Sequence, residues 1–96
     1  MDYNTLKKLS KQYKNLVRYI YISNCFTSSY DKFKETEISI YKNFFCRYVV
    51  IKWEDYEYGK YSVHKVFSNK DLAADFAWQL FGGEEEFQRL LQENKI

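Results

Sequence analysis

A ten-residue run, Phe44-Phe45-Cys46-Arg47-Tyr48-Val49-Val50-Ile51-Lys52-Trp53, constrains the fold most, because both of its parities carry large apolar or aromatic side chains. Successive side chains of a strand point to opposite faces, so a strand over 44–53 buries most of each face and belongs inside a sheet. Tyr61-Ser62-Val63-His64-Lys65-Val66-Phe67 reads as its partner. Tyr61, Val63 and Phe67 share one face and Ser62, His64 and Val66 the other, the mixed pattern of a strand with one wet side. Between the two runs, Glu54 to Lys60 carries charge and holds Gly59, which readily takes a positive φ, so the pair forms a hairpin with a longish loop.

Upstream, Thr36-Glu37-Ile38-Ser39-Ile40-Tyr41-Lys42 alternates, with Ile38 and Ile40 inward and Glu37, Ser39 and Tyr41 outward. Lys42-Asn43 offers a tight turn into the next strand, giving an antiparallel meander with 44–53 in the middle. The N-terminal segment repeats at helical spacing: Leu6, Leu9, Tyr13, Leu16, Val17 and Ile20 form one stripe, which predicts a helix from about residue 4 to 23. Tyr19, Tyr21 and Ile22 widen that stripe, so the second half of the helix meets either the sheet or a partner. After Phe67, Ser68-Asn69-Lys70-Asp71 approximates a capping box, with Phe67 and Leu72 at staple positions. Leu72, Ala73, Phe76, Ala77 and Leu80 then mark the buried face of a helix over 69–81 that Gly82 ends in the left-handed conformation. Glu84, Glu85 and Glu86 favour the positive end of another helix, whose stripe is Phe87, Leu90 and Leu91. The fold class expected is α+β, with an N-terminal helix, a three-stranded antiparallel β-meander and two C-terminal helices in a single domain over 1–96.

Several chemistries lack their residues. Cys25 and Cys46 are not in CxxC spacing and His64 is the sole histidine, so the usual zinc patterns are missing. Both cysteines read as reduced core thiols, which fits a reducing cytoplasm, with one disulfide between them as the alternative. No apolar run approaches the roughly 18 residues that span a bilayer, so neither a signal peptide nor a membrane partner is expected. His64 facing Cys46 across the hairpin has no recognisable motif around it, and Glu54, Asp55 and Glu57 lack calcium-loop spacing. The expectation is a protein that is not an enzyme, with no cofactor and no metal.

Ten tyrosines and eight phenylalanines exceed what a chain of 96 residues encloses completely, so several rings must lie at the surface. They concentrate in Asp55-Tyr56-Glu57-Tyr58-Gly59-Lys60-Tyr61. Tyr56, Tyr58 and Tyr61 with Lys60 suit a protein-binding loop, since tyrosine gives broad contact at small entropy cost. The same side chains suit stacking on unpaired bases, or plain cross-strand pairing. Charge is unevenly placed: residues 1–34 carry seven cations and two acids, net +5, and the remainder eight cations and eleven acids, net −3. Lys7, Lys11, Lys14 and Arg18 follow at steps of four, three and four, with no acid between Asp2 and Asp31. They either solvate an amphipathic helix or form a basic footprint for electrostatic steering or phosphate contact.

In element order, size and a composition rich in Lys, Tyr, Asn and Ile, the chain resembles small phage-encoded anti-CRISPR proteins. That resemblance spans the chain and rests on no sequence motif. It implies an inhibitor of a host nuclease or defence complex, made by a phage or mobile element. Many such inhibitors mimic DNA with acidic surfaces, whereas residues 1–34 here are basic, so the resemblance implies either direct contact with a host protein or ribonucleoprotein alone, or engagement of guide or target nucleic acid as well. The alternative is a small nucleic-acid-binding accessory or regulatory protein that uses the basic N-terminal segment. The exposed aromatics also leave room for a homodimer.

Overall fold

In the computed structural model, which describes residues 1–23, 36–55 and 57–96, four strands form one mixed sheet with helices packed on one face. Asp2 caps α1 (Tyr3–Gln12), its carboxylate accepting the Thr5 N–H at 2.7 Å. The helix stops there instead of running to residue 23. Tyr13 takes a non-helical conformation, a 3-10 turn covers Lys14–Arg18, and β1 (Ile20–Ser23) follows. Tyr19-Ile20-Tyr21-Ile22 is aromatic and β-branched, a composition that loses side-chain freedom in a helix and fits a pleated strand. What reads as a widened helical stripe is therefore a strand.

The sheet order is β1-β2-β3-β4, with β2 at Ile38–Lys42, β3 at Tyr48–Asp55 and β4 at Lys60–Phe67. β1 pairs with β2 in parallel, Ile20 opposite Ile38 and Ile22 opposite Ile40. The antiparallel meander β2-β3-β4 is as expected, but it carries this fourth, parallel strand on its edge. The central strand also begins later than the apolar run suggests, because residues 43–47 form a turn and only 48–55 enter the ladder.

On the helix-covered face, Ile20, Ile38, Ile40 and Val50 meet Leu6 and Leu16 from the N-terminal segment and Ala73, Ala74, Ala77 and Trp78 from α2 (Lys70–Phe81). Small alanines let α2 lie close to the sheet. The opposite face is buried at its centre too: Ser39, expected outward, is fully buried and its hydroxyl accepts the Trp53 indole N–H at 3.0 Å, while Val49 and Ile51 lie beside it.

Asn69 caps α2 by accepting the N–H groups of Asp71 and Leu72, so Leu72 lies one position too early for a staple and is exposed. Phe67 packs on Phe76 instead, ring centroids 5.3 Å apart. Gly82 ends the helix at φ 118°, and α3 (Gly83–Gln92) starts at once. The acidic triplet is used within α3: Glu84 accepts from Gln88, and Glu86 pairs with Arg89, which also reaches Glu93. A Cβ on Gly82 would stand 2.7 Å from the Glu86 Cβ. Gly82→Ala should thus lower unfolding free energy by about 1–3 kcal/mol, read from urea melts.

Candidate protein-interaction site

The sheet leaves its aromatic surplus along β4 and at the two ends of β3. β4 is an edge strand, and a bulge forms its site-bearing end: Lys52 is opposite Val63 but Trp53 is opposite Tyr61, so Ser62 is an extra residue. That extra residue turns Tyr61 onto the face of His64, with ring centroids 5.4 Å apart, instead of the face of Val63 and Phe67 that simple alternation assigns. Tyr61, His64 and Val66 are all exposed, and Tyr58 in the loop beyond Asp55 is 79% exposed against 53% for Tyr61. Lys60 is exposed and opposite Asp55. Asp55 steadies the loop by accepting the Glu57 N–H at 3.1 Å. Tyr56 lies outside the described residues. Tyr58, Lys60 and Tyr61 thus share one corner, joined by His64, which alternation alone does not group with Tyr61; Val66 shares their face but is opposite Val49, toward the other end of β3.

The basic residues form no single stripe with each other or with that corner. Lys7 and Lys11 are on α1, whereas Lys14 and Arg18 follow the break at Tyr13 on the 3-10 turn. Lys7 is half-buried, its ammonium 5.5 Å from the centre of the Tyr3 ring. Lys7 and Lys11 rim a groove of about 220 Å³ whose floor is Val17, Ile20, Tyr21 and Ile22, so they stand beside β1. β1 and β4 are opposite edges of the sheet, about 14 Å apart at ordinary strand spacing. Among the described residues, Lys8, Lys11, Lys14 and Arg18 are exposed and enter no ion pair.

The far end of β3 carries what the sequence misplaces. Phe44 and Phe45 are 93% and 82% exposed, not strand residues, and Cys46 is exposed, not a core thiol. Cys25 lies outside the described residues. Asn43 makes the difference. Its side-chain oxygen accepts the N–H groups of Phe45 (2.9 Å) and Arg47 (3.0 Å), its own N–H donates to the Arg47 carbonyl at 2.8 Å, and the Cys46 N–H donates to the Asn43 carbonyl at 3.1 Å. Cys46 completes the turn at φ 59°. An asparagine that bonds its own backbone two residues on is a recognisable turn signal, here outweighed by the apolar residues after it.

Cys46 and His64 are not brought together, since Cys46 precedes Tyr48, opposite Phe67, while His64 is opposite Ile51. Among the described residues, no three His, Cys, Asp or Glu side chains converge as metal ligands, and no helix is long and apolar enough to cross a membrane. Compared with family models, curated proteins and solved structures, the chain gives no match.

Proposed function

We propose that this chain is a non-catalytic binding protein that grips another protein through the corner formed by Tyr58, Lys60, Tyr61 and His64. The observation that carries this is the exposure of Tyr58, in the turn before β4, and of Tyr61, on that edge strand, where folding gains little from them. Amphipathic rings at the rim of a rigid sheet are what protein contacts use as anchors. By the resemblance in size and element order, an effector nuclease of a host defence system is the first partner to test, with the chain acting as its inhibitor. The fourth strand departs from the three-stranded order on which that resemblance was drawn.

The decisive experiment isolates the partner with tagged protein from cells carrying candidate defence systems, then titrates it against Tyr58→Ala/Tyr61→Ala. The double variant should keep its melting temperature and bind at least about tenfold more weakly, since anchor residues at a contact centre each contribute roughly 1–2 kcal/mol or more. Unchanged affinity would make the corner a connector only.

A second function is favoured by one observation, the exposed cations Lys8, Lys11, Lys14 and Arg18, which enter no ion pair among the described residues: an accessory protein that holds nucleic acid by its phosphates. Anisotropy titrations with a labelled duplex and a single strand separate the two. Retention at low salt that falls steeply with added salt supports the phosphate role, and no retention at low salt removes it.

A further inference from the structure

The Phe44-Phe45 turn is unused by the fold and by the tyrosine corner. It projects two almost fully exposed rings, and neither has a hydroxyl or N–H to satisfy in water. The four hydrogen bonds around Asn43 hold the turn in one shape, so the rings are presented in place and little ordering remains for binding to supply. From residue 38 to residue 53 the chain carries Lys42, Arg47 and Lys52 and no acid, and Lys42 and Arg47 flank the tip directly, both exposed.

The same end of the molecule gathers further cations. Tyr48, next to Arg47, stacks edge-on against Tyr3 at 5.7 Å, and the ammonium groups of Lys7 and Lys70 lie 5.5 and 5.6 Å from the Tyr3 ring centre. Of the carboxylates on that side, Asp75 pairs with the amino terminus at 3.1 Å, and Asp71 accepts the Tyr3 N–H at 3.0 Å and keeps its charge. An apolar point with a cationic collar results. We infer that this tip docks on an anionic lipid surface, Phe44 and Phe45 entering the interface while Lys42 and Arg47 meet acidic headgroups. A bilayer needs no preformed pocket to accept two adjacent rings from a turn, and it attracts juxtaposed Lys and Arg. β3 separates the tip from the tyrosine corner by about 25 Å at ordinary strand rise, so a lipid surface and a protein partner can be held together.

Sedimentation with sucrose-loaded vesicles tests this, using phosphatidylcholine alone and with about 30% phosphatidylserine, at about 50 and 500 mM salt. The protein should pellet with the anionic vesicles at low salt and much less with the neutral ones. Phe44→Ser/Phe45→Ser should cut partitioning about tenfold or more, and Lys42→Ser/Arg47→Ser or high salt several-fold. Both double variants change exposed residues and should keep the parent melting temperature. Absence of pelleting at low salt overturns the inference, as does pelleting that the serine pair leaves unchanged, which would move the contact to the α1 lysines. Light scattering that shows a dimer dissolved by Phe44→Ser/Phe45→Ser, without pelleting, would assign the tip to contact between copies. Loss of a purified protein partner in that variant, again without pelleting, would assign it to a protein pocket.

Discussion

Val50→Asp is expected to abolish folding. Val50 is fully buried on the helix-covered face of β3, opposite Ile40 on β2 and Lys65 on β4, within the same cluster as Ile38, Ala77 and Trp78. Lys65 across the strand pair is exposed and holds its ammonium over the Phe67 and Phe76 rings, so pairing with an aspartate at position 50 would draw it off those rings and into the core; otherwise the acid is a desolvated charge or a protonated group without a partner. Either costs several kcal/mol, in addition to the lost packing of the valine. A domain of this length has roughly 5–14 kcal/mol to lose. Far-UV circular dichroism and a thermal scan decide the matter: the variant should lack a cooperative transition. Val66→Asp is the control, placed on β4 where the side chain is exposed, and should shift stability by less than about 1 kcal/mol. A soluble Val50→Asp variant that melts cooperatively would mean that the sheet core is elsewhere.

That contrast also shows what a sequence alone can convey about this fold. Val49-Val50-Ile51 is unambiguous because β-branched residues of both parities suit a strand covered on both faces, and all three are buried. Phe44 and Phe45 extend the same apolar signal, yet they stand in water. Hydrophobicity reports a preference for burial and cannot reveal that Asn43 has closed a turn before them. β1 was hidden for a different reason. Leu16, Val17 and Ile20 satisfy a helical period while Ile20 and Ile22 satisfy a strand period, and only pairing with Ile38 and Ile40 selects between them. The C-terminal helices were legible because their boundaries are written locally, in Asn69 and Gly82, although Leu72 was assigned inward from a cap placed one residue early.

The candidate site divides along the same line. Tyr58, Tyr61 and Lys60 were visible as a composition anomaly, and burial confirms their exposure. His64 joins them through a bulge at Ser62, a change of facing that no alternation rule anticipates. Lys7, Lys11, Lys14 and Arg18 form one group only if a single helical period runs through residue 18. The helix ends at Gln12, so the cations split between two elements beside β1, away from the tyrosines. The cations and the exposed tyrosines therefore lie at opposite edges of the sheet.

Trp78→Ala should produce the second large loss, and it reports on the helices as Val50→Asp reports on the sheet. Trp78 is buried between α2 and α3, its ring 5.3 Å from Phe81 and 5.6 Å from Phe87. Phe87 in turn meets Tyr13 edge-on at 5.3 Å, so this one indole joins α2, α3 and the segment that follows α1. Truncating a buried tryptophan typically costs about 3–5 kcal/mol, transfer and cavity effects together. For a domain of this size that lowers the melting temperature by at least about 12 °C. The loss should come without change in the β3-β4 register, because the tyrosine corner and the phenylalanine tip are carried by the sheet and not by α3. Calorimetry and partner binding by Trp78→Ala below its new midpoint check both halves of that expectation. A melting temperature within about 3 °C of the parent would show that α3 contributes little to the core. A destabilised variant that also loses the partner would show that the helical layer, and not the sheet alone, holds the binding surface in shape.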